Sequence, residues 1–456
     1  MPKDTHVFST ILKIVKDQAD YNENVIAVNE AFHHLVKNGG GPVHINLETS
    51  YSKDFSVKEL PAVRKISFHS SLNSLPEIQK GKVGIYVGSH SKMDQALTDA
   101  IDAFCASHNA VVFCDHTSNY FGKFRLQYPL LLSQDNWKSS LASVHTLVHI
   151  GEISGSYATP SFNILWRVNP DGMIRSPFGV PSDVFQLSEV EFFNYYAKNP
   201  TVQADSFASD LDKELDSLYE LIPEDLPFSN IWAAKTASPL IPKGSILHFG
   251  ILNSLRSWNF FRIPEIQASY SNVGGFGIDG GLSTLMGGAL AKPDVLHYGI
   301  IGDLAFFYDL NSLGNRHFPS NIRILLINNG RGTEFRNYNH PGSAFGEKAD
   351  DYIAAAFHYG NKSSQLVKHI SEDLGFEYLS ASSKEDFIKN LDTFLNPQSR
   401  NQPLVFEIFT TQKDEDDALH IMRNLKTGGQ TLTQNMIRKA LGPKGINTVK
   451  KIIGKN

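Results

Sequence analysis

The sequence predicts an α/β chain made of three-layer α/β/α domains with parallel sheets. Two observations predict it. Short apolar runs, each bounded by turn residues, recur at residues 83–87, 111–114, 147–150, 164–168, 246–249, 295–301, 322–327 and 404–409. Such runs are the pattern of strands covered on both faces, as parallel sheets are. Segments of helical length lie between many of them, which is the alternation that builds βαβ units.

Residues 1–37 read as helical, because Phe8, Ile11, Leu12 and Val15 keep a helical spacing. Gly39-Gly40-Gly41-Pro42 breaks that pattern, and Val43-His44-Ile45-Asn46-Leu47 is a short strand. Residues 51–80 are polar and dotted with proline, so they read as a linker. Residues 81–195 form a Rossmann-like α/β domain. Gly88-Ser89-His90 follows its first strand, and without a glycine fingerprint it reads as a plain strand-to-helix turn. Residues 230–415 form a further α/β domain, with helices expected at 282–291, 310–317 and 384–394. The tail, 416–456, carries Arg423, Lys426, Arg438, Lys439, Lys444, Lys450, Lys451 and Lys455 and, from Ala418 on, no acidic residue; it reads as solvated.

Bulk composition narrows the function. A chain of 456 residues holds two or three domains, and a net charge of −5 argues against a nucleic-acid surface. The two cysteines, Cys105 and Cys114, sit in apolar context, which predicts buried inert thiols rather than a disulfide or metal site. No apolar run reaches membrane-spanning length and no signal pattern opens the chain, so a cytoplasmic location is expected.

The chemistry concentrates at two strand ends. Gly302-Asp303 closes one apolar run, and Asn328-Asn329-Gly330 closes the next. In open α/β sheets, ligands bind at the carboxyl ends of strands. An Asp carboxylate and an Asn carbonyl oxygen are hard donors that suit Mg²⁺, a cation that often bridges phosphates.

The residues from Gly302-Asp303-Leu304-Ala305 to Asp309-Leu310-Asn311-Ser312-Leu313 resemble the diphosphate-binding motif of thiamine diphosphate (ThDP) enzymes. Ser271-Asn272-Val273-Gly274-Gly275-Phe276-Gly277-Ile278-Asp279-Gly280-Gly281-Leu282-Ser283-Thr284 is similar to the same family. Together they are most similar to the branch that makes 2-succinyl-5-enolpyruvyl-6-hydroxy-3-cyclohexene-1-carboxylate (SEPHCHC) in menaquinone biosynthesis. The resemblance implies the ThDP-binding fold, with 1–50 as the end of a pyrimidine-binding (PYR) domain and 230–415 as the diphosphate-binding (PP) domain. It implies ThDP and Mg²⁺ as cofactors and a small 2-oxoacid as substrate. Mg²⁺ would be held by Asp303, Asn329 and the backbone carbonyl of Arg331. Asn253, Ser254, Ile278, Asp279, Ser283, Gly302, Leu304, Ala305, Gly332 and Thr333 would hold the cofactor, with Ile278 propping it in a bent form.

The family pattern breaks at two points. It places carboxylate-gripping arginines where this chain has Trp258 and Val273; Arg256 and Arg262 stand nearby but out of register. The glutamate motif of the PYR domain is also missing, and Glu30 and Glu48 have no matching context. A partner is therefore expected, either a second copy of the chain or a PYR-domain polypeptide. It would cover an apolar patch around Phe276, Ile278 and the start of the 304–310 helix. A ThDP-dependent decarboxylase or carboligase competes with a non-catalytic binding or structural partner of the same fold. A dinucleotide-dependent oxidoreductase on the same strand–helix pattern is the weakest of the three readings, because no Gly-x-Gly-x-x-Gly directly follows any of the apolar runs named above.

Overall fold

The computed structural model describes residues 5–426 apart from 52, 55, 57, 60–61, 157, 201–205, 276, 351–362 and 399. Much of the expected basic tail, and Phe276, lie outside the described residues. The chain divides into two compact units, Met1–Leu126 with Ser143–Ser209, and Gln127–Ala142 with Asp210–Asn456.

The first unit opens with a strand, β1 (Phe8–Leu12), where the sequence reads as helix. Its residues alternate between half-buried and exposed, and it pairs in parallel with β2 (Val43–Leu47) across the helix α1 (Gln18–Val36). Phe8 and Leu12 fit both periods, whereas Ile11, exposed on the other face, fits only the helical one; pairing with β2 decides for the strand. The main sheet of this unit runs β3 (Ser67–His69), β9 (Asp183–Phe185), β8 (Ser161–Val168), β7 (Ser143–Ile150), β4 (Val83–Val87), β5 (Ala110–Cys114) and β6 (Arg125–Gln127) in that spatial order. From β3 through β5 the pairings are parallel. Helices α2 (Gln95–His108) and α4 (Glu189–Ala197) lie on one face, around Phe104, Trp166, Phe185, Phe192, Phe193 and Tyr196. Asp94 caps α2 through the Leu97 amide, and Ser188 with Glu191 forms a capping box on α4. Cys105 and Cys114 are free and buried in this core, and burial pushes the Cys114 thiol up to about 12.

A short helix, α3 (Pro129–Leu132), begins the 127–142 segment of the second unit, and α5 (Phe207–Tyr219) and α6 (Asn230–Ala237) come before its first strand along the chain. The sheet of this unit is wholly parallel, in the order β11 (Ala268–Ser271), β10 (Ile246–Phe249), β12 (His297–Gly302), β13 (Ile322–Asn328), β15 (Leu404–Phe409) and β14 (Glu377–Ala381). On one face α8 (Gly281–Ala291) and α10 (Leu366–Asp373) cover Ile322, Ile324, Leu326 and Val405. On the other, α11 (Lys384–Leu395) sets Phe387 and Phe394 against Phe406. Neighbouring residues Val405 and Phe406 thus serve opposite layers, the three-layer arrangement that the apolar runs predict. The expected helix at 310–317 is instead a 3₁₀ turn, Leu310–Gly314, held by the Asp309 side chain on Ser312.

The last helix among the described residues, α12 (Gln412–Met422), runs past position 416. It buries Ala418 and Met422 and ends in an ion pair of Arg423 with Asp135. The first residues of the expected tail are therefore packed, because apolar side chains one turn apart give the helix a face to bury. Among the described residues no helix is long and apolar enough to cross a membrane.

Candidate active site at the strand ends of the second unit

Chain connections leave β10 and β12 in opposite directions across the sheet, β10 toward β11 and β12 toward β13. The crevice at their carboxyl ends is the topological switch point, where open α/β sheets bind ligands. Asn253 and Ser254 follow β10, and Gly302 and Asp303 close β12.

In the β12–β13 register Gly302 lies opposite Ile327, so Asp303, the first residue of α9 (Asp303–Tyr308), stands beside the turn after β13. Asp303 is only 2% exposed. Its Oδ1 accepts the Leu304 amide at 2.7 Å, and its Oδ2 accepts the Gly330 amide at 2.6 Å. The second bond ties the two strand-end loops into one cradle. Gly330 has φ 75°, a left-handed backbone that favours glycine, whereas Gly332 at φ −79° is ordinary. Asn328 and Asn329 part company. Asn328 is buried and donates to Glu407 Oε1 at 2.6 Å, while Asn329 is half-buried at the edge and accepts the Arg331 amide at 3.2 Å.

Leu252, just before Asn253, has φ 62° and ψ −124°, a strained conformation for a non-glycine residue. Such strain costs on the order of 1–3 kcal/mol and persists only where surroundings impose it, commonly at functional sites. Beyond it α7 (Asn253–Trp258) begins. The Asn253 and Thr333 side chains lie 2.7 Å apart, and with the Asn253 oxygen toward Thr333 its nitrogen donates to Glu334 Oε2 at 3.1 Å. Ser254 is buried, and its Oγ lies 3.3 Å from where a Cβ on Gly250 would stand and 3.9 Å from one on Gly302. Asn253, Ser254, Gly302, Asp303, Asn329 and Thr333 therefore gather at one edge.

The remaining expected residues sit around α8 and α9. Ser283 donates from its amide and hydroxyl to Asp309 Oδ2, at 2.6 and 2.9 Å. Gly280, φ 74°, turns the chain into α8; Asp279 before it is exposed. Ile278 is half-buried.

The positions expected to carry arginines face inward. Trp258 is fully buried and donates to Asn230 Oδ1 at 3.2 Å, and Val273 is buried too. Arg256 pairs with Glu334 at 2.6 Å. Arg262 pairs with Asp212 and Asp216 at 2.5 and 2.6 Å.

Sequence reasoning missed the layer beneath. Asn230 donates to the Asn253 carbonyl at 3.0 Å, and its own amide meets Glu415 Oε1 at 2.9 Å. Burial, opposed by bonds from Thr410 and Asn230, raises the Glu415 carboxyl to about 7. Glu407 is also raised, first by burial, and the Asp303 charge adds to it. Nothing in their local sequence marks these residues; only the fold brings positions 230, 253 and 415 together.

Among the described residues no three His, Cys, Asp or Glu side chains cluster as a metal site. The expected set is of another kind, one carboxylate with amide and backbone oxygens, and Asp303 beside the 329–331 turn fits it. Mg²⁺ commonly takes one or two carboxylates and keeps several waters.

Comparison with known proteins finds similarity to SEPHCHC synthases. The chain is 26% identical over 427 residues to the SEPHCHC synthase of Bacteroides fragilis, covering 87% of this chain and 73% of that one. It is 31% identical over 255 residues to the synthase of Phocaeicola vulgatus, covering 56% and 43%. The synthase of Desulfotalea psychrophila matches at 26% over 420 residues, covering 88% and 74%. The chain is similar to SEPHCHC synthases along most of its length. No family model matches it. The resemblance to this branch of ThDP enzymes, first carried by the 271–284 and 302–313 motifs, therefore extends well beyond them.

Proposed function

We propose that this chain supplies the diphosphate and metal half of a ThDP- and Mg²⁺-dependent 2-oxoacid decarboxylase or carboligase of the SEPHCHC synthase kind. The observation that carries the reading is the Asp303–Gly330 bond, which joins the ends of β12 and β13 into one cradle at the switch point. Asp303, Asn329 and the Arg331 carbonyl would hold Mg²⁺. Gly302, Leu304, Ala305, Gly332 and Thr333 would surround the diphosphate, with Ser283 shaping the wall through Asp309. Asn253, Ser254 and Asp279 would line the cofactor loop, and Ile278 would press on the cofactor from the side. Bound ThDP supplies the electron sink that lets a 2-oxoacid lose CO₂. The protein's own part is to orient that group and exclude water.

The carboxylate that must face the pyrimidine ring would come from a PYR-domain polypeptide, because a second copy of this chain carries no such glutamate motif either. The inward turn of Trp258 and Val273 favours a donor with fewer carboxylates than 2-oxoglutarate, because a bidentate arginine grip is missing at both positions. The alternative, a non-catalytic partner of the same fold, draws on that same observation. The test is CO₂ release from a panel of 2-oxoacids by the chain with a PYR-domain polypeptide supplied. ThDP- and Mg²⁺-dependent release, lost in Asp303→Ala, supports the proposal; complex formation without release from any 2-oxoacid supports the alternative.

A further inference from the structure

The first unit has a switch point of its own. Its chain leaves β4 toward β5 and leaves β7 toward β8, so the carboxyl ends of these neighbouring strands open a crevice. A cavity of about 510 Å³ lies there, bounded by the loop after β4, the loop after β7 and the end of β8. The loops touch closely: a Cβ on Gly88 would stand 1.8 Å from the Glu152 carbonyl oxygen, and Gly151 has φ 72°.

Arg167 lines this cavity and is 1% exposed. Its Nε has no partner among the described residues, and its Nη1 reaches only the His149 carbonyl at 3.4 Å. The carboxylates of the cavity wall are engaged elsewhere. Asp94 caps α2, Glu152 pairs with Arg175 at 3.3 Å, and Glu189 pairs with His90 at 2.9 Å. The charges of Glu152, Glu189 and Asp171 act on Arg167, but among the described residues none forms an ion pair with it, and a planar fork of donors with an unpartnered Nε matches an oxyanion. Exposed Lys92 adds a second cation at the rim.

We propose that this cavity binds a small molecule through an oxyanion, a phosphate or a carboxylate, received by Arg167 with Lys92 at the entrance. The site is separate from the Asp303 cradle and does not depend on its reading.

Calorimetry of the full chain with inorganic phosphate, AMP and succinate tests it, on the wild type, Arg167→Met and Lys92→Ala. Binding of phosphate and AMP but not succinate identifies a phosphate ligand; the reverse identifies a carboxylate. At least one probe binds saturably, roughly tenfold more weakly in Arg167→Met and less strongly salt-dependent in Lys92→Ala. In anion-free buffer Arg167→Met melts no lower than the wild type, since what is removed is a buried charge with no ion pair and one long hydrogen bond. A purely structural arginine would lower that temperature. If Arg167→Met fails to fold, the site is overturned on that ground alone. Absence of saturable binding by all three probes, or binding unchanged in both variants, overturns it equally.

Discussion

The two switch points of this protein are built from different material. At the β10/β12 end, polar groups hold one another: Asp303 with Gly330, Asn253 with Thr333, Asn328 with Glu407, Asn230 with Glu415. At the β4/β7 end, an aromatic core around Phe104, Trp166, Phe185 and Phe192 supports loops that enclose one buried arginine. The contrast teaches where positioning comes from. A metal and diphosphate need several oxygen and amide groups fixed to within a fraction of an ångström, which takes a satisfied network. A single oxyanion needs one well-placed fork.

The contrast can be broken by deleting each kind of support. Phe192→Ala should destabilise the first unit by about 3–5 kcal/mol, the usual loss for a fully buried phenylalanine, read from denaturant unfolding. A cost well below that would mean the aromatic cluster is not what supports this end.

In the second unit, Glu415 makes stability depend on pH. Its folded pKa lies near 7, above the usual carboxyl value of 4.5. The native state therefore keeps a proton that the unfolded chain loses, and stability falls as pH rises from about 4.5 to 7. The fall is roughly 3 kcal/mol, and Glu415→Gln should remove it. Unfolding midpoints at pH 5 and pH 7.5 in both proteins give the answer; parallel shifts would show that Glu415 does not carry the dependence.

Thr333→Val leaves Asn253 short of a buried partner and should cost about 1–3 kcal/mol, with weaker cofactor binding as the sharper readout. The smallest effect expected is at Ser188. Its replacement by alanine removes the capping box of α4 for about 1 kcal/mol and leaves the second unit's melting untouched.

Legibility followed the same division. The bounds of β2, β4, β10 and β15 can be read directly, because each is a short apolar run closed by turn residues. Asp303 and Asn329 stand out because their strand ends are adjacent in space as well as consecutive in sequence. Edge strands are harder. β11 is Ala-Ser-Tyr-Ser and β14 is Glu-Tyr-Leu-Ser-Ala, with little apolar signal, since an edge buries less. β3 and β9 have three residues each, too short for periodicity to register. Arg167 hides inside a strand that reads as core, and Gly88-Ser89-His90 shows no fingerprint; the cavity between them exists only once β7 lies beside β4. Asn230 and Glu415, 185 residues apart, are invisible for the same reason.

The central claim is that Asp303 and the 329–331 turn hold Mg²⁺ against a diphosphate. Calorimetric titration of ThDP into the chain, with and without Mg²⁺, tests it most directly. The account predicts saturable binding that requires the metal and is lost in Asp303→Ala. Metal-independent binding, or undiminished binding in Asp303→Ala, would contradict it.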